Sequence, residues 1–399
     1  MRKEIDLKIK PNYHNLYKER KFPLVFEKGV ENTWKLEEEG SIINLLDGED
    51  NFVGRGYYGN QNKGIGWILT YKEKEKINSN FFQKKLITAL NKRKNFFYKD
   101  DTTCFRILNS IGDGIGGLTI DYYDDYFLFN WYSEGIYSFK EEIYSKFKNL
   151  VYYKGIYQKK RFDHKGKYIE DDDFVMGERG NFPITVKENN VKIAVDLNDG
   201  PMVGFFLDQR DTRKALMEKY AKDKNVLNTF SYTGVFSVFS ALGRAKSTVS
   251  VDLANRSLEK TLEQFKLNDI NLEDNKIVVE DIFEYFSFAE KKEMKYSLII
   301  LDPPSFAKSK NYIFKADKNY KDIIKKSIKI LEDGGLILAS TNLEKMSMEK
   351  FVSQVKEGVE EEGKKFKIVE KFRLPKDFKV NDRYSEGNYL KILMIKINS

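Results

Sequence analysis

The first quarter of the chain alternates short apolar and polar segments that are separated by glycine. The stretches FPLVFEKGV, GSIINLLDGEDNFVGRGYYG and GIGWILTYK carry this pattern up to about residue 76. Short alternating runs bounded by glycine are typical of strands and hairpins. The next segment, NSNFFQKKLITALNKRKNFFYK, instead repeats large apolar residues at helical spacing, opposite a polar face. The pattern predicts a small β-rich domain followed by a connecting amphipathic helix.

The remaining chain shows two further patterns. From about residue 104 to 183, β-like stretches such as GLTIDYYDDYFLFNWYS surround one predicted helix over residues 138–150. From about residue 191 to the end, strand and helix patterns alternate, which is the signature of a doubly wound parallel sheet. We therefore expect an α/β protein with three domains: β-rich over residues 1–76, a linker helix and small α+β domain over 77–188, and a parallel α/β domain over 189–399.

Acidic side chains stand at the ends of three predicted strands of the last domain. A strand over residues 226–230 leads through a turn at 231–234 into a helix, and the following strand ends in Asp252. An acidic residue about 20 positions past such a loop can accept hydrogen bonds from ribose hydroxyls. Asp281, which could bond an adenine amino group, and Asp302 end two further strands. One such carboxylate is more often a helix cap, but three at successive strand ends favour a ligand site.

Glycine placement distinguishes two kinds of nucleotide-like cofactor. The loop at 231–234 holds one glycine, Gly234, which argues against a cradle for a diphosphate. S-adenosylmethionine has a ribose and an adenine but no phosphate, so we predict it as the cofactor. The segment GDGIGG at 112–117 matches G-x-G-x-x-G, but β-like sequence follows it and Asp113 would repel phosphate. We interpret GDGIGG as a hairpin turn.

The stretch LIILDPPSFAKSK at 298–310 places two prolines directly after an apolar strand and Asp302. Proline fixes φ, lacks an N–H donor and restricts the preceding residue, so Pro303 and Pro304 end the strand and stiffen the loop. Oxygen acceptors in this loop suit the edge of a nucleobase, and Phe306 offers a face for stacking, worth about 1 to 3 kcal/mol per base in known cases. A rigid surface turn is the alternative interpretation.

Composition narrows the class of protein and its partners. The 399 residues are 41% hydrophobic and 33% charged, and the uncharged run at 226–243 is interrupted by polar residues, which excludes it as a membrane span. Cys104 is the only cysteine, so we expect no disulfide, and with His14 and His164 as the only histidines we expect no metal. Residues 1–100 hold 20 basic and 14 acidic side chains, so +6 of the net +8 lies there. This favours a polyanionic partner, and we expect a cytoplasmic location.

Seven segments spread over nearly the whole chain carry a family resemblance: GDGIGGLTIDYY, VGFFLDQRDTR, VLNTFSYTGVFS, VSVD, LDPPSFAKSK, KNYKDI and YSEGNYLKILMIKI. They resemble the large-subunit (23S) ribosomal RNA methyltransferases of the RlmI, RlmK and RlmQ type. The resemblance implies a PUA-like RNA-binding domain, a central α+β domain and a Rossmann-like class I methyltransferase domain. It also implies the following cofactor-binding residues: Asp208, Gln209, Arg210, Phe230, Ser231, Tyr232, Gly234, Asp252, Asp281 and Asp302.

The chain differs from the 5-methylcytosine-forming enzymes that it resembles. Those enzymes share a nucleophilic cysteine at the position that Asn342 takes in this sequence. Neighbouring hydroxyl groups are poor substitutes, since no histidine lies near in sequence to activate them. Carbon 5 of cytosine needs covalent activation, whereas guanine N7 carries a lone pair and has no proton to lose. The RlmK and RlmQ types are similar in having an asparagine near this point. We predict 7-methylguanosine as the product, with these catalytic residues: Asp302, Pro303, Pro304, Phe306 and Asn342.

Alternative functions stay open at this stage. One is methylation of cytosine C5, as in the RlmI type, or of an exocyclic amine. Another is a non-catalytic RNA-binding factor for ribosome assembly that keeps the fold. The predicted partner is 23S ribosomal RNA or a ribosomal precursor, and association into a homodimer is conceivable.

Overall fold

The computed structural model describes residues 2–61, 63–162, 172–308 and 312–398. His164 and the last two residues of LDPPSFAKSK, Ser309 and Lys310, lie outside the described residues. The chain divides into two compact units. The first comprises residues 1–186, 196–203 and 376–387, and the second comprises residues 187–195, 204–375 and 388–399. The three domain boundaries drawn from the sequence remain predictions.

Five strands form the first sheet of the first unit: β1 (Glu4–Lys8), β2 (Leu24–Val25), β3 (Ile42–Leu46), β4 (Phe52–Tyr58) and β5 (Gly66–Thr70). Their order is β1, β3, β4, β5, β2, and only the pair β1 and β3 is parallel. Leu7, Val25 and Ile43 are fully buried in its core. The β-rich pattern of the N-terminal quarter is thus confirmed.

A second sheet completes the first unit, with two helices between its strands. Its strands are β6 (Cys104–Asn109), β7 (Leu118–Tyr123), β8 (Tyr126–Trp131), β9 (Gly155–Lys160) and β10 (Phe174–Gly177). The helices of the unit are α1 (Ser79–Arg93), α2 (Glu134–Tyr137) and α3 (Lys140–Phe147). Helix α1 lies where its apolar spacing predicted it, and Asn78 caps it by accepting the N–H of Phe81.

The single helix predicted over residues 138–150 is wrong in its bounds. Ser133 caps the short helix α2 by accepting the N–H of Ile136, and the Ser138 hydroxyl donates to the Gly135 carbonyl. Side-chain hydrogen bonds of serine to nearby backbone compete with continued helix. The longer helix therefore begins only at Lys140 and ends at Phe147.

The GDGIGG segment joins the antiparallel strands β6 and β7, so its interpretation as a hairpin turn is confirmed. Gly114 and Gly117 have φ of +83° and +82°, a conformation that glycine adopts at little cost. Asp113 does not face an open loop. Its two carboxylate oxygens each accept a hydrogen bond of 2.7 Å from the buried Arg93 guanidinium. Cys104 is fully buried, as expected of a small apolar residue.

The remaining strands belong to the second unit, apart from residues 184–186, which begin the first of these strands and belong to the first unit. In chain order they are β11 (Ile184–Glu188), β12 (Val191–Val195), β13 (Asn225–Thr229), β14 (Ser247–Asp252), β15 (Asn275–Val279), β16 (Tyr296–Leu301), β17 (Phe306–Lys308), β18 (Ile313–Lys315), β19 (Leu331–Thr341), β20 (Lys365–Phe372) and β21 (Lys391–Asn398). Seven of them form one sheet in the order β15, β14, β13, β16, β19, β21, β20. The first five run parallel, and β21 is antiparallel to both of its neighbours.

The helices of this unit are α4 (Arg210–Ala215), α5 (Val235–Leu242), α6 (Arg256–Leu267), α7 (Ile282–Lys291), α8 (Ala316–Lys329) and α9 (Met348–Glu361). Two apolar clusters cover opposite faces of the sheet, because alternate residues of β16 belong to each: Ile299 and Leu301 to one, Leu298 and Ile300 to the other. Parallel sheets covered on both faces have continuous apolar strands, as the sequence shows here. None of the helices among the described residues is long and apolar enough to cross a membrane.

The order in which successive strands join the sheet reverses between β13 and β16, although the two strands are parallel. Strands β14 and β15 follow β13 on one side, whereas β16 and β19 lie on the other side. Such a switch point leaves a crevice beyond the carboxyl ends of the two central strands, where open α/β sheets bind ligands. The loops that leave β13 and β16 carry part of the predicted site, namely residues 230–234 and 302–306.

Candidate active site

The loop after β13 has an unusual backbone. Phe230 and Tyr232 adopt φ of +51° and +54°, and Gly234 adopts +72°. Left-handed conformations are costly for bulky residues and persist where surrounding contacts over-determine them. Here the N–H of Ser231 donates to the Val251 carbonyl at 3.0 Å. The loop is therefore held in a tight curl between the ends of β13 and β14.

Asp252, the last residue of β14, holds the same loop through its carboxylate. One oxygen accepts the N–H of Tyr232 at 2.8 Å, and the other accepts the N–H of Ala254 at 2.9 Å. The structure therefore brings Asp252 beside the predicted cofactor loop. Each carboxylate oxygen can accept more than one hydrogen bond, so these two bonds leave acceptor capacity for a ribose.

Asp281 has the role of a helix cap. It precedes α7, and its Oδ1 accepts the N–H groups of Phe283 at 2.7 Å and Glu284 at 3.4 Å. This is the alternative that the sequence left open for each carboxylate. Its contact with an adenine stays a prediction.

The segment that carries Asp208, Gln209 and Arg210 forms a turn that leads into α4. Gln209 is 4% exposed, and its Nε2 donates to Asp302 Oδ2 at 2.9 Å. Asp208 accepts a hydrogen bond of 2.7 Å from the Tyr389 hydroxyl rather than capping the helix. Arg210 is buried.

A buried ion pair between Arg213 and Glu188 fixes the segment that carries residues 208–210. The Arg213 guanidinium donates to both oxygens of Glu188 at 2.7 and 2.8 Å, and also to the Phe206 carbonyl at 2.8 Å. Bidentate arginine pairs restrict geometry in two directions at once. The position of Gln209 relative to β16 is thereby restricted as well.

Asp302 directly follows β16 and accepts a hydrogen bond from Gln209 there. The residue is partly accessible, but protein atoms surround its carboxyl group, and this burial raises its pKa to about 6. The nearby Asp208 raises the pKa further, while hydrogen bonds from Ser340 and Gln209 oppose the shift. A carboxylate with a raised pKa in a crevice is a mark of functional sites.

The proline loop connects to the end of β19. Pro303 is buried and Pro304 is exposed, and the Ser305 hydroxyl donates to Asn342 Oδ1 at 2.8 Å. Asn342 directly follows β19 and is exposed. Phe306 is 56% exposed, a high value for a phenylalanine beside a crevice. The predicted catalytic residues are thus gathered at the ends of two adjacent strands.

Tyr320, in the KNYKDI segment, contacts the carboxyl ends of both β16 and β19. Its fully buried hydroxyl lies 2.7 Å from the Ser340 carbonyl and 3.3 Å from the Leu301 carbonyl. Burial raises the pKa of Tyr320 well above its ordinary value, so the group stays a donor at neutral pH. Sequence reasoning did not assign a role to Tyr320, Ser305 or Tyr389, although each lies in a motif of the resemblance.

We expect Tyr320→Phe to lower the free energy of unfolding by about 1 to 2 kcal/mol, because two buried carbonyls lose a donor. Urea denaturation of the two proteins measures the difference. Tyr312→Phe is a matched control, since Tyr312 is partly buried and its hydroxyl donates to the side-chain carboxylate of Asp322 rather than to buried backbone carbonyls. Equal losses for both variants would contradict a special role for Tyr320.

Two buried polar atoms at the site have no hydrogen-bond partner among the described residues: Ser231 Oγ and Gln209 Oε1. A buried polar group without a partner costs free energy, so such atoms in a crevice indicate a ligand that supplies one. Together with Asp252 they offer a hydroxyl, an amide oxygen and a carboxylate. This set fits a ligand with hydroxyl and ammonium groups and no phosphate.

Comparison with known proteins identifies the family. A model of S-adenosylmethionine-dependent methyltransferases matches residues 161–395, which is more than half of the chain. The chain belongs to the S-adenosylmethionine-dependent methyltransferases. A model of PUA-like domains also matches residues 7–71.

Three similar proteins align with nearly the whole length of this methyltransferase. YwbD of Bacillus subtilis (strain 168), a proposed ribosomal RNA large subunit methyltransferase, is 49% identical over 94% of this chain and 95% of its own. Ribosomal RNA large subunit methyltransferase I of Alteromonas mediterranea is 32% identical over 95% of each. The solved structure of SMU.776, a proposed methyltransferase complexed with SAH, superimposes with a TM-score of 0.90 at 35% identity, over 99% of this chain and 100% of that one.

These findings confirm the family resemblance, the α/β fold class with a PUA-like N-terminal domain, and S-adenosylmethionine as the cofactor of this methyltransferase. The unpartnered oxygens of Ser231 and Gln209 fit that cofactor, since its methionine part carries an ammonium donor and its ribose carries hydroxyls. The individual cofactor-binding and catalytic residues stay predictions.

Proposed function

We propose that this methyltransferase modifies large-subunit (23S) ribosomal RNA at N7 of a guanine. The names of YwbD and of the Alteromonas relative support the class of RNA. The PUA-like segment and the positive charge of the first 100 residues support a polyanionic partner. The hydrogen bond between Ser305 and Asn342 carries the proposal of the base.

The cofactor lies along the carboxyl ends of β13, β14 and β16 in this proposal. Asp252 accepts from the ribose hydroxyls, the Ser231 hydroxyl and the Gln209 amide oxygen bind its polar atoms, and Asp281 is near the adenine. Asp208, Arg210, Phe230, Tyr232 and Gly234 shape the same crevice. When bound, S-adenosylmethionine supplies a methyl group on a positively charged sulfur.

Asn342 selects the base through its amide group. Its Oδ1 accepts the Ser305 hydroxyl, so its NH₂ group is left to donate outward. The Hoogsteen edge of guanine presents two acceptors, N7 and O6, whereas adenine presents a donor in place of O6. A hydrogen bond from Asn342 to O6 holds guanine with the N7 lone pair free. The methyl–sulfur bond breaks as the N7–methyl bond forms, and no proton leaves.

Positioning groups suffice for this reaction. Pro303 and Pro304 hold the loop, Asp302 fixes Gln209 at the cofactor, and Phe306 stacks on the flipped base. Orientation of two reactants contributes up to roughly 7 to 11 kcal/mol to catalysis in well-aligned systems. At the end of β19 the side chains that could act as nucleophiles, Ser340 and Thr341, are buried. Asn342 offers an amide there instead of a thiol.

Nucleoside mass spectrometry of 23S ribosomal RNA tests the proposal. Cells that lack the gene should lose one 7-methylguanosine, and the wild-type gene should restore it. A gene for Asp252→Ala, which removes the ribose acceptor, serves as the inactive control. Loss of a 5-methylcytidine or of an N-methylated exocyclic amine instead would refute guanine N7 while keeping the RNA class. An unchanged nucleoside profile would refute the RNA class too.

A further inference from the structure

Strands β17 and β18 form a two-stranded ribbon that begins one residue after Ser305. They pair antiparallel, with Phe306 opposite Lys315 and Lys308 opposite Ile313. Opposite residues and every second residue lie on one face of such a ribbon. Phe306, Lys308, Ile313 and Lys315 therefore share a face, which we call the outer hairpin face.

The two faces of the ribbon differ sharply in burial. On the inner face Phe314 is fully buried and contacts the ring of Tyr320. On the outer hairpin face Phe306 and Ile313 are 56% and 50% exposed, and both lysines are exposed. The outer hairpin face thus mixes two apolar side chains with two cations.

The ribbon is fixed to the methyltransferase core. The N–H of Ala316 donates to the Ser305 carbonyl at 3.0 Å, and the N–H of Lys315 donates to Asn319 Oδ1 at 3.1 Å. The Tyr312 ring lies 3.9 Å from that of Phe283, centroid to centroid. The outer hairpin face is therefore held in place beside the Ser305–Asn342 pair.

The lysines of this face differ in their ion pairing from other lysines of the described chain nearby. Lysines of α8 nearby pair with glutamates of α9, for example Lys321 with Glu357 at 3.1 Å. Within the described ranges, Lys308 and Lys315 make no ion pair. Unpaired cations interleaved with exposed apolar side chains suit a phosphodiester chain with unstacked bases, which presents both anions and ring faces.

We propose that the outer hairpin face binds the single-stranded nucleotides that flank the methylated base. Lys308 and Lys315 contact phosphates, and Ile313 packs on the face of the neighbouring base. The inference rests on the proposed function, because Phe306 stacking on the target base makes the face continuous with the site. The inference adds Lys308, Ile313 and Lys315 to the RNA-binding surface, and none of the three contacts the cofactor or the target base in the proposed function.

The test uses the full-length protein and unmodified 23S ribosomal RNA transcribed in vitro. We compare Lys308→Ala/Lys315→Ala with Lys291→Ala/Lys292→Ala, which removes the same charge from exposed positions at the end of α7. Dissociation constants are measured between about 50 and 200 mM salt. The affinity for SAH, measured by calorimetry, reports whether the cofactor site is intact in each variant.

The hairpin variant should bind the RNA about 5- to 10-fold more weakly than the α7 variant. Its plot of log affinity against log salt should be less steep by about 1.5, since each phosphate contact contributes roughly 0.7 to 0.9 to the slope. Ile313→Ser should weaken binding about 3-fold without changing the slope. SAH affinity should be the same in all variants.

Equal RNA affinity of the hairpin and α7 variants would overturn the inference, and the face would then suit a protein contact instead. That result is distinct from failure of the proposed function. If wild-type protein transfers no methyl group to guanine of this RNA or of ribosomal precursors from cells that lack the gene, the proposed function fails, whatever the hairpin comparison shows. If it transfers the methyl group and the hairpin variant binds like the control, only the inference about the hairpin fails.

Discussion

Replacing Asn342 by aspartate should lower the rate constant of methyl transfer to RNA by about 100-fold. The two side chains have the same shape, but aspartate has no N–H to donate to guanine O6 and brings a negative charge against that oxygen. Loss of a donor at a reacting group typically costs about 2.7 to 4 kcal/mol of activation free energy, and about 2.7 kcal/mol corresponds to 100-fold. Single-turnover methylation with labelled cofactor measures the rate constant.

Two further variants separate positioning from general damage. Asn342→Ala removes the donor without adding a charge, so its rate constant should fall by the roughly 100-fold that loss of the donor alone predicts, and the aspartate variant should be no faster. Ser305→Ala frees the amide to rotate and should fall between wild type and Asn342→Ala. The affinity for SAH should stay within 2-fold of wild type in all three. An aspartate variant that methylates within 3-fold of wild type would contradict the role given to Asn342.

Asp302→Asn should raise the free energy of unfolding by about 1 to 3 kcal/mol at pH 7 while reducing methyl transfer more than 10-fold. The pKa of Asp302 is raised from 3.8 to about 6, so folding disfavours its charged form. One pKa unit corresponds to about 1.4 kcal/mol. Asparagine keeps an oxygen that accepts from Gln209 and carries no buried charge. These outcomes would show that the predicted active site holds a carboxylate at the expense of stability.

The sign of the pH dependence follows from the direction of the shift. Above about pH 6 the Asp302 carboxyl is ionised in both the folded and the unfolded protein, and the folded wild type bears the full cost of burying that charge. Between about pH 6 and 4 the folded protein takes up the proton first, so its relative stability rises as pH falls. Below about pH 4 both forms are protonated, and the advantage of Asp302→Asn should vanish.

Urea denaturation at pH 4, 5, 6 and 7 measures this difference. Asp211→Asn is the matched control, because its side chain is exposed and should change stability by less than about 0.5 kcal/mol at every pH. A stability gain of Asp302→Asn that is equal at pH 4 and pH 7 would show that burial of charge is not its cause.

Most strands of the second unit could be predicted because a parallel sheet covered on both faces needs continuous apolar runs. Residues 298–301 form such a run, and their burial matches the expectation. The same reasoning placed Asp252 and Asp302 at one edge, because the carboxyl ends of parallel strands meet there. The family resemblance supplied the segment around Gln209, which no periodicity indicates.

Contacts between distant residues could not be predicted in this way. Gln209 and Asp302 are 93 positions apart, and Ser305 and Asn342 are 37 apart. Such pairs depend on how helices and loops pack, and no local pattern encodes them. The hairpin of β17 and β18 was missed as well, because three-residue strands are too short to show a period of two. Asp281 is the opposite case, because its observed role as a helix cap is a local contact that the sequence pattern does indicate.

The outermost strand of the seven-stranded sheet bears on self-association. Among the described residues, strand β20 pairs with β21 alone, and its Lys365, Lys367 and Lys371 are exposed. Lysines on a free edge discourage the edge of a second sheet from adding to it. Two copies that joined these edges would bring rows of like charges together. Pairing of two copies through this edge is therefore disfavoured.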